Sequence, residues 1–162
     1  PSDMMDHRVG KIRDTLEAAN HTNTKIMAYS AKYASSFYGP FREAVDSTSN
    51  LAGADKASYQ MDPANSKEAL IESALDQYEG ADILMVKPGV SYLDIVYRLS
   101  TFSNKPIAAY NVSGEYSMIK AGVKMGYVNH NEFLIESLTV IKRAGANIIA
   151  TYFAKEAVEL IS

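Results

Sequence analysis

The sequence predicts an α/β fold in which parallel strands alternate with helices. Four short apolar runs, typical of buried strands, are separated by stretches whose apolar residues recur at helical spacing. Strands that alternate with helices pair in parallel through right-handed crossovers, so we expect one sheet covered by helices. The runs are continuously apolar, as strands are when both faces of a sheet are covered. Two architectures satisfy this pattern, an open doubly wound sheet and part of a (β/α)8 barrel, and periodicity does not choose between them.

The first helix and the first strand are predicted from apolar periodicity near the N-terminus. Apolar residues at intervals of three and four predict a helix over residues 4–19. Ser2 or Asp3 suits the cap of this helix, because both side chains accept hydrogen bonds from backbone N–H groups. The short apolar run over residues 25–31 follows and predicts the first strand.

A long polar connection over residues 33–66 separates the first strand from the next helix. It is rich in Ser, Ala, Asp and Asn, and Gly39-Pro40 and Asp62-Pro63 are predicted to break regular structure. One short helix is predicted near residues 40–45. Connections in compact domains usually have about 4–6 residues, and longer ones often act as lids. We therefore predict that residues 33–66 form an active-site lid within a single domain.

The rest of the chain alternates regularly between helices and strands. Asn65-Ser66-Lys67-Glu68 has the composition of a capping box, which predicts a helix that ends at Gly80. The buried face of this helix is predicted to carry Leu70, Ile71, Ala74, Leu75 and Tyr78. The later elements are predicted to be a strand over 82–86, a helix over 91–99, a strand over 106–112, helices over 115–125 and 131–144, a strand over 147–153 and a helix over 154–161.

Composition and charge exclude several classes of protein. The 162 residues suit one domain with a real core, since 47% are hydrophobic and 22% are charged. The net charge is -3 and no basic run occurs, which argues against a nucleic-acid partner. No apolar run approaches the length of a membrane span, so no membrane partner is expected. The chain has no cysteine, which excludes disulfides, thiolate metal ligands and a cysteine nucleophile within these residues.

Polar side chains follow the predicted strands, at the edge of the sheet where α/β proteins place their active sites. Because parallel strands end at the same edge, we expect these side chains to converge. They are Lys32 after the first strand, Lys87 after the second, Ser113 after the third and Tyr152 at the end of the fourth. Two lysines, a serine and a tyrosine are therefore predicted to share one face.

Lys87 follows the apolar run over residues 83–86 and is the strongest candidate for a catalytic residue. A free lysine has a pKa of about 10.4, and lowering it by roughly three units costs about 4 kcal/mol against the charged form. An apolar strand end supplies part of this by desolvation, and Lys32 is the nearest predicted second cation. Two close lysines suit a reaction that binds two carbonyl substrates. The pattern alone leaves solvated lysines, or an unspecified Schiff-base enzyme such as a class I aldolase, as alternatives.

Further candidates for carboxylate binding lie in the lid and at the last two strand ends. Cations such as Arg42 and Lys56 on a lid can clamp a substrate carboxylate, although a single lid cation is more often solvated. Ser113 begins a helix, where hydroxyl and backbone N–H groups suit an anion, or it serves as a plain cap. Tyr152 either lines the site or packs in the core with its hydroxyl bonded internally.

Glu72 belongs to an acidic series on the helix after the lid. Glu68, Glu72 and Asp76 recur every four residues and so share one helix face. A solvated acidic stripe is the ordinary explanation, and a site for a hard cation is the alternative. None of the three histidines pairs with another His, Asp or Glu at a spacing typical of metal ligands.

Six stretches of the chain form a set of motifs. They are residues 85–89 (MVKPG), 1–6 (PSDMMD), 30–42 (SAKYASSFYGPFR), 58–65 (SYQMDPAN), 110–116 (YNVSGEY) and 148–153 (IIATYF). In their order and spacing they resemble the porphobilinogen synthases, or δ-aminolevulinate dehydratases, and MVKPG resembles that family's active-site signature. The resemblance covers essentially the whole chain. It implies a (β/α)8 TIM barrel of which residues 1–162 form only the C-terminal half, about four β/α units of a single catalytic domain.

The resemblance implies the reaction of that family. Two molecules of 5-aminolevulinate condense to porphobilinogen with loss of water, in tetrapyrrole and heme biosynthesis. By resemblance, Lys87 forms the Schiff base with the substrate that ends on the propionate side of the product. Lys32 forms the Schiff base with the second substrate.

The same resemblance assigns residues to the two substrate carboxylates. Ser113 and Tyr152 would hold the carboxylate of the first substrate. Arg42 and Lys56 would hold that of the second substrate from the lid, with help from Gln60.

Divalent metals are also implied by the resemblance. Glu72 aligns with a ligand of an allosteric magnesium ion. The catalytic metal, zinc or magnesium, is bound in the family by an N-terminal half that is missing from these residues, since family members with a whole barrel are about twice as long. The absence of cysteine therefore says nothing about that metal. A glycine is usual in the family where His7 stands.

The resemblance to this family also gives expectations for assembly, location and activity. Full-length members form homo-oligomers, octamers built through an N-terminal arm, and we expect the cytoplasm, or a plastid for a plant or algal protein. One alternative is a half barrel that retains ligand sites but is inactive in isolation. Half a barrel exposes two strand edges and part of an apolar interior, so we expect it to self-associate. The other alternative, a different lysine aldolase, would not need the clamps at Ser113, Tyr152 and Arg42.

Overall fold

Within residues 1–44 and 58–161, which the computed structural model describes, four parallel strands form one sheet in their order along the chain. The strands are β1 (Met27–Lys32), β2 (Ile83–Lys87), β3 (Ile107–Asn111) and β4 (Ile148–Thr151). The helices are α1 (Arg8–Ala18), α2 (Gly39–Ala44), α3 (Glu68–Tyr78), α4 (Leu93–Phe102), α5 (Ser113–Lys124), α6 (His130–Arg143) and α7 (Ala154–Ile161). Short 3-10 helices at Ser36–Tyr38 and Val90–Tyr92 lead into α2 and α4.

The strand order distinguishes between the two predicted architectures. Each described strand pairs in parallel with the next one along the chain, in the order β1-β2-β3-β4. A doubly wound sheet reverses its strand order at a switch point, whereas a (β/α)8 barrel continues in one direction. The described sheet contains no reversal, and its four consecutive strands correspond to half a barrel.

The main hydrophobic core lies between the sheet and the helices α1, α3 and α4. Strands β1 to β3 contribute small or branched side chains to this core, namely Ala28, Ala31, Leu84, Val86, Ile107 and Ala109. Helix α4 adds Ile95, Val96 and Leu99, all buried as its apolar spacing predicts. Close packing on this side holds the strands in register, which positions the side chains that follow each strand.

The opposite face of the sheet, which would be the interior of a closed barrel, is partly open. The register aligns Lys32 with Lys87 on neighbouring strands, and Tyr110 with Ala150. Ile148 on the edge strand β4 is 37% exposed. The predicted exposure of part of an apolar interior therefore matches the described sheet.

Helix α1 begins at Arg8 and not at residue 4 as predicted. The backbone of Met4 and His7 has φ of 57° and 59°, in the left-handed region, so residues before Arg8 form a turn. Asp3 Oδ1 accepts a hydrogen bond from the N–H of Met5 at 3.2 Å, and it stabilises this turn instead of capping the helix. Glycine adopts the left-handed conformation without steric cost, whereas the histidine at position 7 adopts it with backbone strain.

The buried face of α3 differs from the prediction. Ala69 and Ser73 are fully buried against the sheet, whereas Ile71, Leu75 and Tyr78 are 58%, 48% and 91% exposed. The prediction was therefore wrong for these three residues. Small side chains allow the helix to approach the sheet closely, and the larger apolar side chains are then directed outward.

The two ends of the predicted lid are anchored in the core by one residue each. Tyr33 and Met61 form a parallel bridge beyond β1 and are 0% and 1% exposed. The short helix predicted near residues 40–45 occurs as α2. Gly39-Pro40 begins this helix and does not break the chain, because proline is well suited to a first helical turn. Residues 45–57, the centre of the predicted lid, lie outside the described residues.

A second, smaller core joins the helices α5, α6 and α7. It contains Ile119, Leu134, Phe153 and Ala157. At its surface, Lys120 Nζ lies 2.8 Å from Glu156 Oε2, and His130 Nε2 contacts the same oxygen. No helix in the part of the chain that the structure describes is long and apolar enough to cross a bilayer.

Candidate active site

A pocket of about 250 Å³ opens at the carboxyl ends of the strands. Six of the residues predicted from the sequence line it: Lys32, Arg42, Gln60, Lys87, Ser113 and Tyr152. Lys56, the second lid cation, lies outside the described residues. The pocket also contains side chains that sequence reasoning did not select, which are Ser2, Tyr29, Tyr38, Phe41, Tyr110 and Val112.

Lys87 projects into a cage of aromatic rings. Its Nζ lies 4.5 Å from the ring centroid of Tyr110, with Tyr38 at 5.2 Å, Tyr29 at 5.5 Å and Phe41 at 5.9 Å. A cation over the face of a ring gains roughly 0.5–2 kcal/mol, with the larger values in desolvated sites. The cage therefore favours charged forms of this nitrogen, the ammonium and a protonated Schiff base, over the neutral amine.

The tyrosines of this cage are protonated at neutral pH. Burial, together with a hydrogen bond to Tyr152, raises the pKa of Tyr110 to about 12. Burial also raises the pKa of Tyr29 and Tyr38 above the usual tyrosine value. Their hydroxyls are therefore hydrogen-bonding groups in the site, and they are not phenolates that would pair with a lysine.

Backbone contacts fix the position from which Lys87 projects. Its carbonyl oxygen accepts hydrogen bonds from the N–H of Tyr33 at 2.9 Å and from the hydroxyl of Tyr38 at 3.1 Å. Two residues later, a Cβ on Gly89 would lie 3.0 Å from the carbonyl oxygen of Tyr110. A larger residue there would have to displace the backbone of β3, so glycine allows the loop after Lys87 to lie directly against that strand.

Lys32 occupies the aligned position on β1. The two lysine Nζ atoms lie over the same ring, that of Tyr29, with Lys32 at 5.8 Å and Lys87 at 5.5 Å from its centroid. Lys32 Nζ also donates a hydrogen bond to the carbonyl oxygen of Ser2. Two ammonium groups that share one ring repel each other, and this repulsion opposes the preference of the cage for charge on Lys87.

The first turn of α5 is joined to the base of the predicted lid. The hydroxyl of Ser113 accepts a hydrogen bond from the N–H of Phe41 at 3.2 Å. Gly114 permits this contact, because a Cβ there would lie 2.3 Å from the carbonyl oxygen of Phe37. The position of the Ser113 hydroxyl is therefore fixed by the backbone of α5 and by the backbone of Phe41 in the predicted lid.

Arg42 and Gln60 line the side of the pocket that is formed by the described ends of the predicted lid. The guanidinium carbon of Arg42 lies 5.5 Å from the ring centroid of Tyr38. Gln60 is only 6% exposed, and its Oε1 has no hydrogen-bond partner among the described residues. A buried acceptor without a partner costs about 1–3 kcal/mol, so a ligand that donates a hydrogen bond there would be favoured.

Tyr152 lines the pocket and is not part of the core. It is 45% exposed, and its ring contacts those of Tyr110 and Tyr116 at centroid distances of 6.4 and 5.7 Å. Its hydroxyl is hydrogen-bonded to Tyr110. The ring contacts connect this end of the pocket to the cage around Lys87.

A buried carboxylate behind the pocket connects the ends of β2 and β3. Glu115 is 6% exposed, and its Oε1 accepts hydrogen bonds from the N–H groups of Val90 at 2.8 Å and Ser91 at 3.3 Å. Its Oε2 accepts hydrogen bonds from the N–H of Val112 at 2.7 Å and from the side-chain amide of Asn111 at 3.4 Å. Burial raises the pKa of Glu115, and the backbone N–H groups that it binds act in the opposite direction.

Glu72 lies outside the lysine pocket, in a separate acidic pocket of about 210 Å³. Asp6, Asp76 and Glu79 line the same pocket. Burial, and then the neighbouring carboxylates, raise the pKa of Glu72. In the part of the chain that the structure describes, no group of three or more His, Cys, Asp or Glu residues is placed to hold a metal ion. The role of Glu72 as a magnesium ligand stays a prediction.

Sequence reasoning missed the aromatic cage and the buried glutamate for different reasons. Tyr29 and Tyr110 occur inside apolar strand runs, where the ordinary explanation of a tyrosine is strand propensity. Tyr38 and Phe41 lie in the polar connection, which gives no periodicity to interpret. Glu115 did carry a signal, since it stands two residues after Ser113 in the first turn of a predicted helix.

The fold and the site together define a class of protein, a (β/α)8-barrel half with two lysines at adjacent strand ends in one pocket. The family model described as delta-aminolevulinic acid dehydratase matches residues 1–160. The chain belongs to the delta-aminolevulinic acid dehydratase family, as its motifs predict.

Proteins of this family are similar to the chain over nearly its whole length. The chloroplastic delta-aminolevulinic acid dehydratase of Spinacia oleracea is 59% identical over 157 residues, which cover 97% of this chain and 36% of that protein. The Synechococcus elongatus enzyme of the same name is 55% identical, with coverages of 97% and 48%.

A solved structure agrees with these relatives. The crystal structure of delta-aminolevulinic acid dehydratase (porphobilinogen synthase) from Toxoplasma gondii ME49, in complex with the reaction product porphobilinogen, matches with a TM-score of 0.94 and 53% identity. The match covers 98% of this chain and 45% of that chain. The chain thus spans less than half the length of these three proteins, and the predicted half-barrel fold is confirmed.

Proposed function

We propose that the chain is the C-terminal part of a porphobilinogen synthase, which condenses two molecules of 5-aminolevulinate to porphobilinogen with loss of water. Membership of the family supports this reaction. The observation that carries the proposal is the alignment of Lys32 with Lys87 in one pocket, because each amine can form a Schiff base with one ketone. Residues 1–162 would form part of a single barrel domain, with residues 33–66 as its lid.

The covalent step proposed for Lys87 begins from the neutral amine. The Nζ lone pair adds to the ketone carbon of 5-aminolevulinate, and the former carbonyl oxygen takes up a proton to give a carbinolamine. A second proton allows this hydroxyl to leave as water, while the nitrogen releases one of its own protons. One amine, one ketone and one proton therefore give one iminium ion and one water. The four rings around Nζ favour this cation over its neutral precursors.

Lys32 would react in the same way with the second substrate. Both lysine nitrogens lie within 6 Å of the ring centroid of Tyr29, so the two Schiff bases would form beside the same aromatic ring. Their mutual repulsion as ammonium ions favours loss of a proton from one of them, which supplies the neutral amine that attack requires.

Two groups of polar side chains would hold the substrate carboxylates. The hydroxyl of Ser113 accepts a hydrogen bond from Phe41, which leaves its own proton to donate to a carboxylate oxygen. Tyr152 would donate to the same carboxylate. Arg42, with Gln60 and Lys56, would bind the carboxylate of the second substrate.

Metals enter the proposal only through the family, whose members generally depend on a divalent metal ion. The described residues contain no group of three or more His, Cys, Asp or Glu side chains placed to hold a metal ion. We propose that Glu72 contributes a carboxylate to an allosteric magnesium ion, since the pocket around it is acidic. The identity of a catalytic zinc or magnesium ion would be set by residues outside this chain.

Trapping of the Schiff base tests the proposal. The full-length protein is incubated with 5-aminolevulinate and borohydride, and its peptides are analysed by mass spectrometry. We expect the reduced adduct on Lys87. Lys87→Arg, which keeps the positive charge, should abolish that label, and Lys32→Arg should leave the label on Lys87 intact. Absence of an adduct on Lys87 in the unsubstituted protein would contradict the proposed function.

The assembly state is proposed from the resemblance to the family, and the location is proposed from the names of the relatives. We propose a homo-oligomer, an octamer for the full-length protein, with a small-molecule substrate and neither a nucleic-acid nor a membrane partner. The relatives include chloroplastic proteins of plants and a cyanobacterial one. These support either the cytoplasm or a plastid as the location.

A further inference from the structure

We propose that Glu115 is a positioning residue that sets the distance between the Schiff-base lysine and the group that holds the substrate carboxylate. The inference rests on the function proposed above and deepens it. Glu115 does not line the lysine pocket. It would therefore act through the loops that it joins and not by touching substrate.

The hydrogen bonds of Glu115 connect two separate pieces of the site. Its Oε1 is held by N–H groups of Val90 and Ser91, in the loop that immediately follows Lys87. Its Oε2 is held by the N–H of Val112, the residue directly before Ser113. One rigid carboxylate group thus connects the loop after the lysine to the start of the helix that carries the serine.

The same network reaches the third strand end. The side chain of Asn111 donates to Glu115, and its Oδ1 accepts a hydrogen bond from Thr151 Oγ1 at 2.9 Å. Thr151 Oγ1 in turn accepts a hydrogen bond from the N–H of Phe153 at 3.1 Å. Tyr152 lies between these two residues of the chain. Both groups proposed for the first carboxylate, Ser113 and Tyr152, are therefore connected to the network.

Helix capping does not account for this arrangement. A glutamate in the first turn of a helix commonly accepts a hydrogen bond from the backbone at the start of its own helix, and the bond to Val112 has that form. The bonds to Val90 and Ser91 go to a different strand end, 25 and 24 residues away in sequence. Capping needs neither of them.

The chemistry of a carboxylate is required at this position. Both oxygens of Glu115 face N–H donors, and an ionised carboxylate is a pure acceptor. Glutamine has the same shape, but its NH2 group would face donors on one side. Glu115→Gln therefore breaks the connection on that side and leaves the side-chain volume unchanged.

The test compares two probes that differ only at the carboxylate end. Labelling of Lys87 with borohydride is timed for 5-aminolevulinate and for aminoacetone, an α-amino ketone without a carboxylate, in the full-length protein. Misplacement of a reacting group by about 1 Å can cost about a hundredfold in rate. For Glu115→Gln we expect a loss of about that size with 5-aminolevulinate and at most about a threefold loss with aminoacetone. Ser113→Ala should show the same selectivity, and combining the two substitutions should add little.

Glu136→Gln is the matched control. Glu136 is an exposed residue that lines the same apolar pocket as Glu115, and it makes none of the hydrogen bonds of Glu115. In the Glu136→Gln variant, Lys87 should be labelled by both probes at the rate found for the unsubstituted protein. If Glu115→Gln does not fold, as judged by circular dichroism, Glu115→Asp serves instead. It retains the charge but is too short to reach both loops.

Equal losses with both probes would show a general structural role and overturn the inference, as would unchanged labelling with both. If 5-aminolevulinate does not label the unsubstituted protein, the proposed function is contradicted, and the inference about Glu115 falls with it.

Discussion

At the scale of single residues, opposing electrostatic effects act on Lys87. Four aromatic rings within 6 Å of its Nζ favour positive charge, and Lys32 over the same Tyr29 ring disfavours it. A Schiff-base lysine has to lose a proton before attack and carries a positive charge afterwards. The charge of Lys32 favours the loss of the proton, and the aromatic rings favour the positive charge of the Schiff base.

A residue outside the pocket offers a test of backbone strain. His7 has φ of 59°, in the left-handed region, where side chains other than glycine cost roughly 1–2 kcal/mol. Its contact with Glu79 at 3.3 Å contributes little, because the histidine side chain is 93% exposed. We expect His7→Gly to raise the free energy of unfolding by about 0.5–1 kcal/mol, measured by urea denaturation.

His21→Gly is the control for this substitution. His21 is an exposed loop histidine that is not among the described residues with positive φ. Glycine there only adds freedom to the unfolded chain, so stability should fall slightly or stay unchanged. Equal destabilisation by both substitutions would show that His7 is not strained.

At the scale of elements, the site depends on how α5 meets its neighbours. Its first turn packs against the base of the predicted lid at Gly114. It supplies Ser113 to the pocket and Glu115 to the hydrogen-bond network behind the pocket. Its later turns are joined to α6 and α7 by the small core and by the contacts of Glu156. A shift of α5 would therefore move its contacts with the predicted lid and its contacts with α6 and α7 together.

The contacts of Glu156 predict a pH-dependent contribution to stability. A hydrogen bond from Lys120, and a further one from His130, hold the pKa of Glu156 below its usual value. Because the folded pKa is the lower one, the stabilisation is fully present above the usual glutamate pKa. It is lost as the pH falls through the lowered value. Glu156→Gln should therefore be less stable than the unsubstituted protein at pH 7, and the difference should disappear in acid.

Urea denaturation at several pH values measures this difference. The effect will be modest because the ion pair is partly exposed. Glu159→Gln, on the exposed side of the same helix, removes the same charge and should have no pH-dependent effect. A destabilisation by Glu156→Gln that persists unchanged at low pH would contradict the assignment.

At the scale of the whole molecule, the described sheet is half of a closed structure. Strands β1 and β4 are its edges, and the interior face is open at Ile148 and near Tyr152. Exposed strand edges and apolar faces promote association. The chain covers under half of its relatives, so the other barrel half is the natural cover for this face.

Residues 1–162 by themselves should therefore self-associate and show little or no turnover. Light scattering should detect dimers or larger species, and an assay for porphobilinogen should remain near background. Co-expression with the N-terminal half of a relative should reduce self-association and restore activity. A misfolded chain would not recover in this way, so the experiment distinguishes an incomplete barrel from a misfolded one. A monodisperse monomer, or measurable turnover by residues 1–162 alone, would contradict this expectation.

Local sequence was sufficient for most of the fold and for the placement of Lys32 and Lys87 in one pocket. The apolar runs before Lys32 and Lys87 predict strands, and parallel strands end at one edge, so the convergence of the two lysines followed from periodicity. Glycine and polar breaks located most element boundaries to within a few residues. The start of α1 could not be predicted this way, because it depends on a left-handed backbone at His7 that no periodic pattern reports.

Sequence by itself determined the class of fold, the position of the two lysines at strand ends and the family, because these depend on local propensity and on motifs. Tertiary structure alone decided the strand order, the rings around Lys87 and the bonds of Glu115. It also decided that Ala69 and Ser73, and not Ile71 and Tyr78, face the sheet. The physical reason is the same in each case. These features depend on contacts between residues far apart in sequence, which exist only after the strands and helices have packed.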